Sequence, residues 1–418
     1  MHKLLLQMVL IGLLTQAAGA QTPDSLILRL RTINAAVTGP SPASGKHLLL
    51  SNRALNLFLS EAAGYYLSGP DDLTLYKNSV LANAAEGTVA IYHNMKQPAG
   101  IDSSIRRFLS FGARANAADA FNASFAGRPY HNQFGFLLKH SWIGKPRVTA
   151  TPDHIRTMDA FRANILHSLE AKIRRNAAAE EAALDAIDPA KDIPGQDPVA
   201  AKRVARQQFY TDLQQEIEFE YAREQAETLA RTFTYTVMAF NWTSVSVYIP
   251  LITENFQTAL TAGTDPTTRH AYPLHLNLTH TRLWEGSRFG RLFATLAGDV
   301  QWNNSRDGYA LTKSGDGYVG DYDQFLTPDV KAQLIYFPAN SHIGVSFLVK
   351  QAIGEVHATD AIFGLPIVLI NKKAEPAVNF EFQLRFYDLG HTIGPGTGFS
   401  GHTAIGLTLG VPFSKIAY

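Results

Sequence analysis

The chain of 418 residues contains no cysteine. That excludes disulfide staples, thiolate nucleophiles, thiolate metal ligands and a lipidated N-terminal cysteine. Charge is also scarce: Asp, Glu, Lys and Arg together make up 17% of the residues, against roughly 25% in soluble domains. The net charge of +1 gives no electrostatic reason to expect a nucleic-acid partner. Beyond the N-terminus no apolar run approaches the ~18 residues of a helical membrane span. No H-E-x-x-H, G-x-S-x-G or P-loop sequence occurs, so the common signatures of hydrolases and nucleotide enzymes are missing, and no cofactor is expected.

What is present begins with an export signal. His2 and Lys3 form a basic start, Leu4 to Leu14 is an apolar core, and Ala18-Gly19-Ala20 is an A-x-A cleavage site. Residues 1–20 are therefore expected to be removed, with the mature chain starting near Gln21. Loss of Lys3 would leave acids and bases equal in number.

The last third of the chain alternates apolar and polar residues. Val378, Phe380, Phe382, Leu384 and Phe386 are interleaved with Asn379, Glu381, Gln383 and Arg385, a period of two that places the two sets on opposite faces of a strand. Eight such strands are expected, at 232–251, 272–284, 289–302, 329–337, 342–350, 364–370, 378–388 and 403–413. Most are long enough to cross a bilayer at a tilt. The links after the second, fourth and sixth are short, and those after the first, third, fifth and seventh are long. Three further strands are expected at 88–93, 105–113 and 132–143, and one within 48–60, which makes twelve; ten or fourteen remain open.

Residues 153–227 are different material. They carry 25 charged residues and abundant Ala, Glu and Gln, which favour helix. Thr151-Pro152-Asp153 is a helix start, and Met158, Phe161, Ile165, Leu169 and Ile173 form a stripe at helical spacing. Asp197-Pro198 starts a second helix, with Phe209, Leu213, Ile217 and Tyr221 spaced by four. The expected organisation is a signal peptide (1–20), an N-terminal periplasmic segment (21–47), first barrel strands (48–150), an α-helical hairpin insertion (151–231) and eight remaining strands (232–418).

Alternation, sorted links, aromatics near strand ends and a final strand (Ile405, Leu407, Leu409, Val411, Phe413) followed by Tyr418 resemble Gram-negative outer-membrane β-barrel proteins. The resemblance is to the class and to no particular family. It implies an all-β, antiparallel up-and-down membrane barrel, porin-like in architecture. It also implies contact with outer-membrane lipids and with the barrel insertion machinery through the C-terminal strand. An even number of strands between the hairpin and the C-terminus puts both on the periplasmic side, where the hairpin could meet a periplasmic partner or fold back into the lumen. Passage of small solutes and a docking scaffold are the two leading functions. An outer-membrane lipid-modifying hydrolase using Ser346 with His342, or His275 with His280, is one alternative, and a soluble secreted β-sandwich with a helical insert is another.

Lumen-facing candidates are Arg291, Asp299, Lys331, Glu381 and Arg385. Candidates for the membrane interface are Trp142, Trp242, Trp284, Trp302 and Tyr336, because amphipathic rings suit the headgroup level. No metal centre is expected. Asp316, Asp321 and Asp323 could offer oxygen ligands to a hard cation, but they equally suit an extracellular loop with Asp-Gly turns.

Overall fold

The computed structural model describes residues 22–38, 50–66, 76–83, 88–95, 106–116, 134–185, 198–232, 235–252, 254–259, 264–265, 267–271, 274–302, 312–314, 317–319, 326–353, 357–371, 376–390 and 403–415. The expected signal peptide and Tyr418 lie outside them. So do Asp316, Asp321 and Asp323, and among the described residues no group of acids or histidines could hold a metal ion.

Among the described residues there are four helices, α1 (Pro23–Thr38), α2 (Asn52–Gly64), α3 (Pro152–Asp185) and α4 (Pro198–Thr232). The strands are β1 (Tyr76–Asn83), β2 (Thr88–Asn94), β3 (Arg107–Asn116), β4 (Phe134–Ile143), β5 (Arg147–Thr149), β6 (Val237–Ile252), β7 (Glu254–Ala259), β8 (Thr267–Ala271), β9 (Leu274–Gly286), β10 (Gly290–Trp302), β11 (Thr312–Ser314), β12 (Gly317–Val319), β13 (Leu326–Phe337), β14 (Val345–Ala352), β15 (Thr359–Ile370), β16 (Pro376–Phe386) and β17 (Thr403–Lys415).

Twelve of these strands close on themselves. From β1 the antiparallel order runs β2, β3, β4, β6, β9, β10, β13, β14, β15, β16 and β17, and β17 pairs back to β1 with Tyr76 opposite Lys415. A single closed sheet replaces the sandwich alternative. The short β5 pairs with β6 beyond the end of β4. Strands β11, β12, β7 and β8, drawn from the first two long links, make a separate small sheet.

The stagger of the barrel follows from its registers. Paired positions lead from His93 through Phe111, Leu138, Val247, Leu276 and Val300 to Pro328. Six residues down β13, Leu334 leads through Phe347, Phe363 and Leu384 to Ile405. Eight residues further, Phe413 pairs with Asn78 and so returns to His93. A stagger of fourteen over twelve strands corresponds to a tilt of roughly 40°.

All four helices gather at one end. The chain enters the barrel after α2, leaves it after β4, re-enters at β6 and ends on β17, all at that end. The turns at 287–289 and 338–344 are there too, as are the end of β15 and the start of β16. Among the last eight strands the sorting holds except at one link: β14 to β15, expected to be long, has six residues, fewer than the seven between β13 and β14. The first three strands reverse it, with four residues between β1 and β2 and twelve between β2 and β3.

The helical body is built by the stripes seen in sequence. Ile165, Leu169 and Ile173 of α3 meet Leu213, Ile217 and Tyr221 of α4, and Leu26, Ile27 and Leu30 of α1 complete the cluster. Thr151 starts α3 by accepting the His154 amide at 3.2 Å, as its sequence suggested.

One strand was misplaced. Residues 52–64 are helix, and the twelfth strand is β1 further on. The physical reason is burial on every side: α2 has so many buried apolar residues that neither a period of two nor one of 3.6 stands out. Its start is marked by Ser51, whose hydroxyl accepts the Ala54 amide at 3.3 Å.

Candidate functional site: the lumen and its helical floor

Strand alternation sorts side chains to the two faces of the wall. On β16, Phe382 and Leu384 are exposed on the outside while Asn379, Glu381, Gln383 and Arg385 are buried inside. The other strands repeat this pattern, with Leu274, Leu276 and Leu278 outside β9 and Asn277, Thr279 and Thr281 inside. An apolar exterior around a polar interior is the reverse of a soluble barrel, and it suits a wall between lipid and water.

Trp284, opposite Leu292, and Trp302, ten residues further along β10, mark the two ends of this exterior. Ten steps of ~3.3 Å at a tilt of ~40° span about 25 Å, the height of an apolar band flanked by aromatics. Trp142, Trp302 and Tyr336 are exposed on the outer face, and Trp284 is half-buried there.

Trp242 does not join them. Strand β6 runs through Asn241 without a break, and its even positions Met238, Phe240 and Trp242 face inward. Trp242 is 4% exposed, its ring 5.3 Å from that of Phe240. The reason lies in α2, which fills the helix end of the barrel and needs apolar partners. Leu57, Phe58 and Leu59 cluster with Phe240, Trp242, Leu283, Phe293, Ile335, Phe337 and Val368 from the wall, and with Ala222, Ala226 and Leu229 of α4.

The two tyrosines after α2 fasten it to the wall. The Tyr65 hydroxyl reaches the Ser341 carbonyl at 3.2 Å and bonds His342 Nδ1, and the Arg291 guanidinium lies over its ring at 3.8 Å. Burial raises the Tyr65 phenol above its ordinary value, opposed by Arg291. Tyr66 donates to Glu381 Oε2 at 3.1 Å and accepts from Gln333 at 2.9 Å. The Asn379 amide donates to the Gly64 carbonyl at 3.0 Å, satisfying one of the carbonyls a helix C-terminus leaves open.

All five lumen candidates face inward, and the structure gives each a partner. Arg291 pairs with Glu285 at 2.7 Å. Asp299 accepts from Asn277 at 3.3 Å, and Lys331 lies 3.7 Å from Asp329, which Lys350 approaches to 3.0 Å. Glu381 accepts from Ser346 and from Gln383, and Gln383 in turn accepts from Arg385. Gly364 makes this ladder possible, because a Cβ there would collide with the Glu381 carboxylate and the Ser346 hydroxyl.

Sequence reasoning missed Tyr65, Tyr66, Asp329 and Lys350. Asp329 and Lys350 carried a readable signal, since each sits at an inward position of an alternating strand. The two tyrosines carried none. Ser346 and His342 are committed to different partners, Glu381 and Tyr65, so no nucleophile and base pair is formed there. His275 bonds Gln301 inside the barrel while His280 bonds Thr243 outside, which separates that pair as well.

No family model matches the chain, and no curated protein does. Among solved structures, the NanC porin in a rhombohedral crystal form is similar over 81% of this chain and 98% of that chain, at 6% identity and a TM-score of 0.28. So distant a likeness adds nothing to what the strand registers establish. A closed, tilted, antiparallel sheet of twelve strands with an apolar exterior is the architecture of outer-membrane β-barrel proteins, and this chain has it.

Proposed function

We propose that the protein is exported through a cleaved signal peptide to the outer membrane, lies there with its helical body in the periplasm, and passes small polar solutes through a lumen that α2 holds shut. The observation that carries this reading is the contrast within the lumen. Above α2 the wall is lined with Asp299, Asp329, Lys331, Lys350, Gln383 and Arg385, and at α2 it is apolar and filled.

Magnitudes decide how such a floor could open. Burying one Leu or Phe stabilises by ~1.5–3 kcal/mol, so exposing Leu57, Phe58 and Leu59 together costs on the order of 5–9 kcal/mol before any polar bond is counted. Thermal motion alone rarely opens that seal. A push could come through α4, since its Gln225 accepts the Ser51 amide at 3.2 Å at the start of α2. A docking role for the helical body is the second reading, favoured by the length of α3, whose 34 residues extend about 50 Å.

Planar-bilayer conductance tests the proposal. The wild-type protein should be nearly silent, and a Leu57→Asp, Phe58→Asp double variant should conduct steadily. A correctly inserted double variant that stays silent removes solute passage and leaves the docking reading.

A further inference from the structure

The outer wall is uneven towards its helix end. On β10, β13 and β14 the outward positions there are Leu292, Leu334, Tyr336 and Val345, the last three exposed. On β3, β4 and β9 the outward positions are Arg107, His140, Trp142, His280, Arg282 and Trp284. Register joins them: Arg107 is opposite Trp142, Trp142 opposite Thr243, and Thr243 opposite His280. Arg282 lies one outward step nearer the helices.

The side chains are arranged as two adjoining groups. In one, exposed Arg107 stands beside Trp142, whose ring lies 4.4 Å from that of His140, and His140 Nε2 is buried with no hydrogen-bond partner among the described residues. In the other, Arg282 lies over the Trp284 ring at 4.8 Å, and His280 is held by Thr243 at 2.9 Å. Arg107 and Arg282 have no ion pair among the described residues. Strands β3, β4, β6 and β9 contain one acid, Glu285, and it points inward to Arg291.

An arginine on the lipid face costs ~2–4 kcal/mol at the bilayer midplane and little at the interface. Two unpaired arginines flanked by tryptophans therefore fit the headgroup level, where the missing anion can come from the bilayer. Three strand spacings of ~4.8 Å and one two-residue step of ~6.6 Å put the two arginines about 16 Å apart, too far for one phosphate and suited to two neighbouring headgroups. We propose that this face binds anionic phospholipid in the leaflet at the helix end, with Arg107 and Arg282 each taking phosphate oxygens. The proposal rests on the wall lying in a bilayer and is independent of solute passage.

The test measures the association of spin-labelled phosphatidylglycerol, relative to spin-labelled phosphatidylcholine, with the full-length protein in phosphatidylcholine vesicles. The wild type should prefer phosphatidylglycerol, with about a fivefold contribution from each arginine. Arg107→Gln with Arg282→Gln should abolish the preference, Arg107→Lys with Arg282→Lys should retain most of it, and Arg156→Gln with Arg206→Gln on the helical body should leave it intact. An equal preference in the glutamine variant, or none in the wild type, overturns the proposal alone. Protein that fails to float with the vesicles overturns it together with the membrane reading.

Discussion

The barrel wall and the helical body follow opposite packing rules within one chain. In the body, apolar side chains such as Leu30, Ile173 and Leu213 are buried and charged ones, apart from Arg162 and Glu218, are mostly outside, as the hydrophobic effect requires in water. In the wall, Leu276, Leu334 and Phe382 are outside, while Lys139, Glu381 and Arg385 are buried. Alternation of period two and stripes of period 3.6 are therefore signals of two different solvents as well as of two backbone geometries. At α2 the rules meet. Its start is tied to α4 through Ser51 and Gln225, its end to β16 through Gly64 and Asn379, and its body converts the adjoining lumen from polar to apolar.

The sharpest break in this contrast is expected at the junction. Phe58→Asp buries a charge among Trp242, Phe240 and Leu283 and should cost more than the ~3–5 kcal/mol of a Phe→Ala core change. Trp242 fluorescence should shift and limited proteolysis should reach α2, while the barrel keeps its heat-resistant mobility on a gel. Loss of the barrel as well would mean that wall and floor fold as one unit.

A smaller effect separates the two solvents directly. Leu334→Arg on the outer face should cost at most ~2–4 kcal/mol, by an amount set by its depth in the bilayer, read from unfolding in vesicles. In detergent-free soluble form the same change would be nearly neutral. Leu213→Arg, in the bundle core, should disrupt α1, α3 and α4 in either medium. Within the lumen, Gly364→Ala should displace the Glu381 and Ser346 pair at a cost of ~1–3 kcal/mol, and Ser346→Ala, which leaves Glu381 its other bonds, should cost ~1 kcal/mol.

The smallest expected effect is a pH dependence confined to the body. The hydrogen bond from Arg31 holds the Glu170 carboxyl below its ordinary value. A depressed carboxyl contributes stability above its unfolded pKa of ~4.3 and loses that contribution as the pH falls through the folded value. Amide exchange in α1 should therefore accelerate below about pH 4, and Glu170→Gln should remove the change. The pair is solvent-exposed, so the global unfolding midpoint should barely move.

Much of the barrel was legible because its constraints are local in sequence. Strands β9, β10 and β16 each face lipid on one side and polar groups on the other, so alternation alone located them and placed Arg291, Asp299, Glu381 and Arg385 inside. Helix starts were legible from Thr151-Pro152 and Pro198, because capping is a matter of adjacent residues. What failed depended on distant contacts. Trp242 was taken for an outer aromatic because nothing nearby reveals that α2 fills the lumen beside it. The strand β1 was passed over because inward Leu81 sits in an apolar cluster with Ala90, Leu137 and Tyr248, which blurs its alternation. The residues around α2 were read as strand because burial on all sides erases periodicity.

The missing cysteines make the central claim open to a direct measurement. Spin labels attached at Phe382→Cys and, separately, at Gln383→Cys report collision with oxygen, which concentrates in lipid, and with a water-soluble nickel complex. In vesicles the label at 382 should favour oxygen and the label at 383 should show no lipid preference, with the alternation continuing at 384 and 385. Equal accessibility at 382 and 383, or contact of 382 with the nickel complex at the level of bulk water, would contradict a wall that separates lipid from a polar lumen.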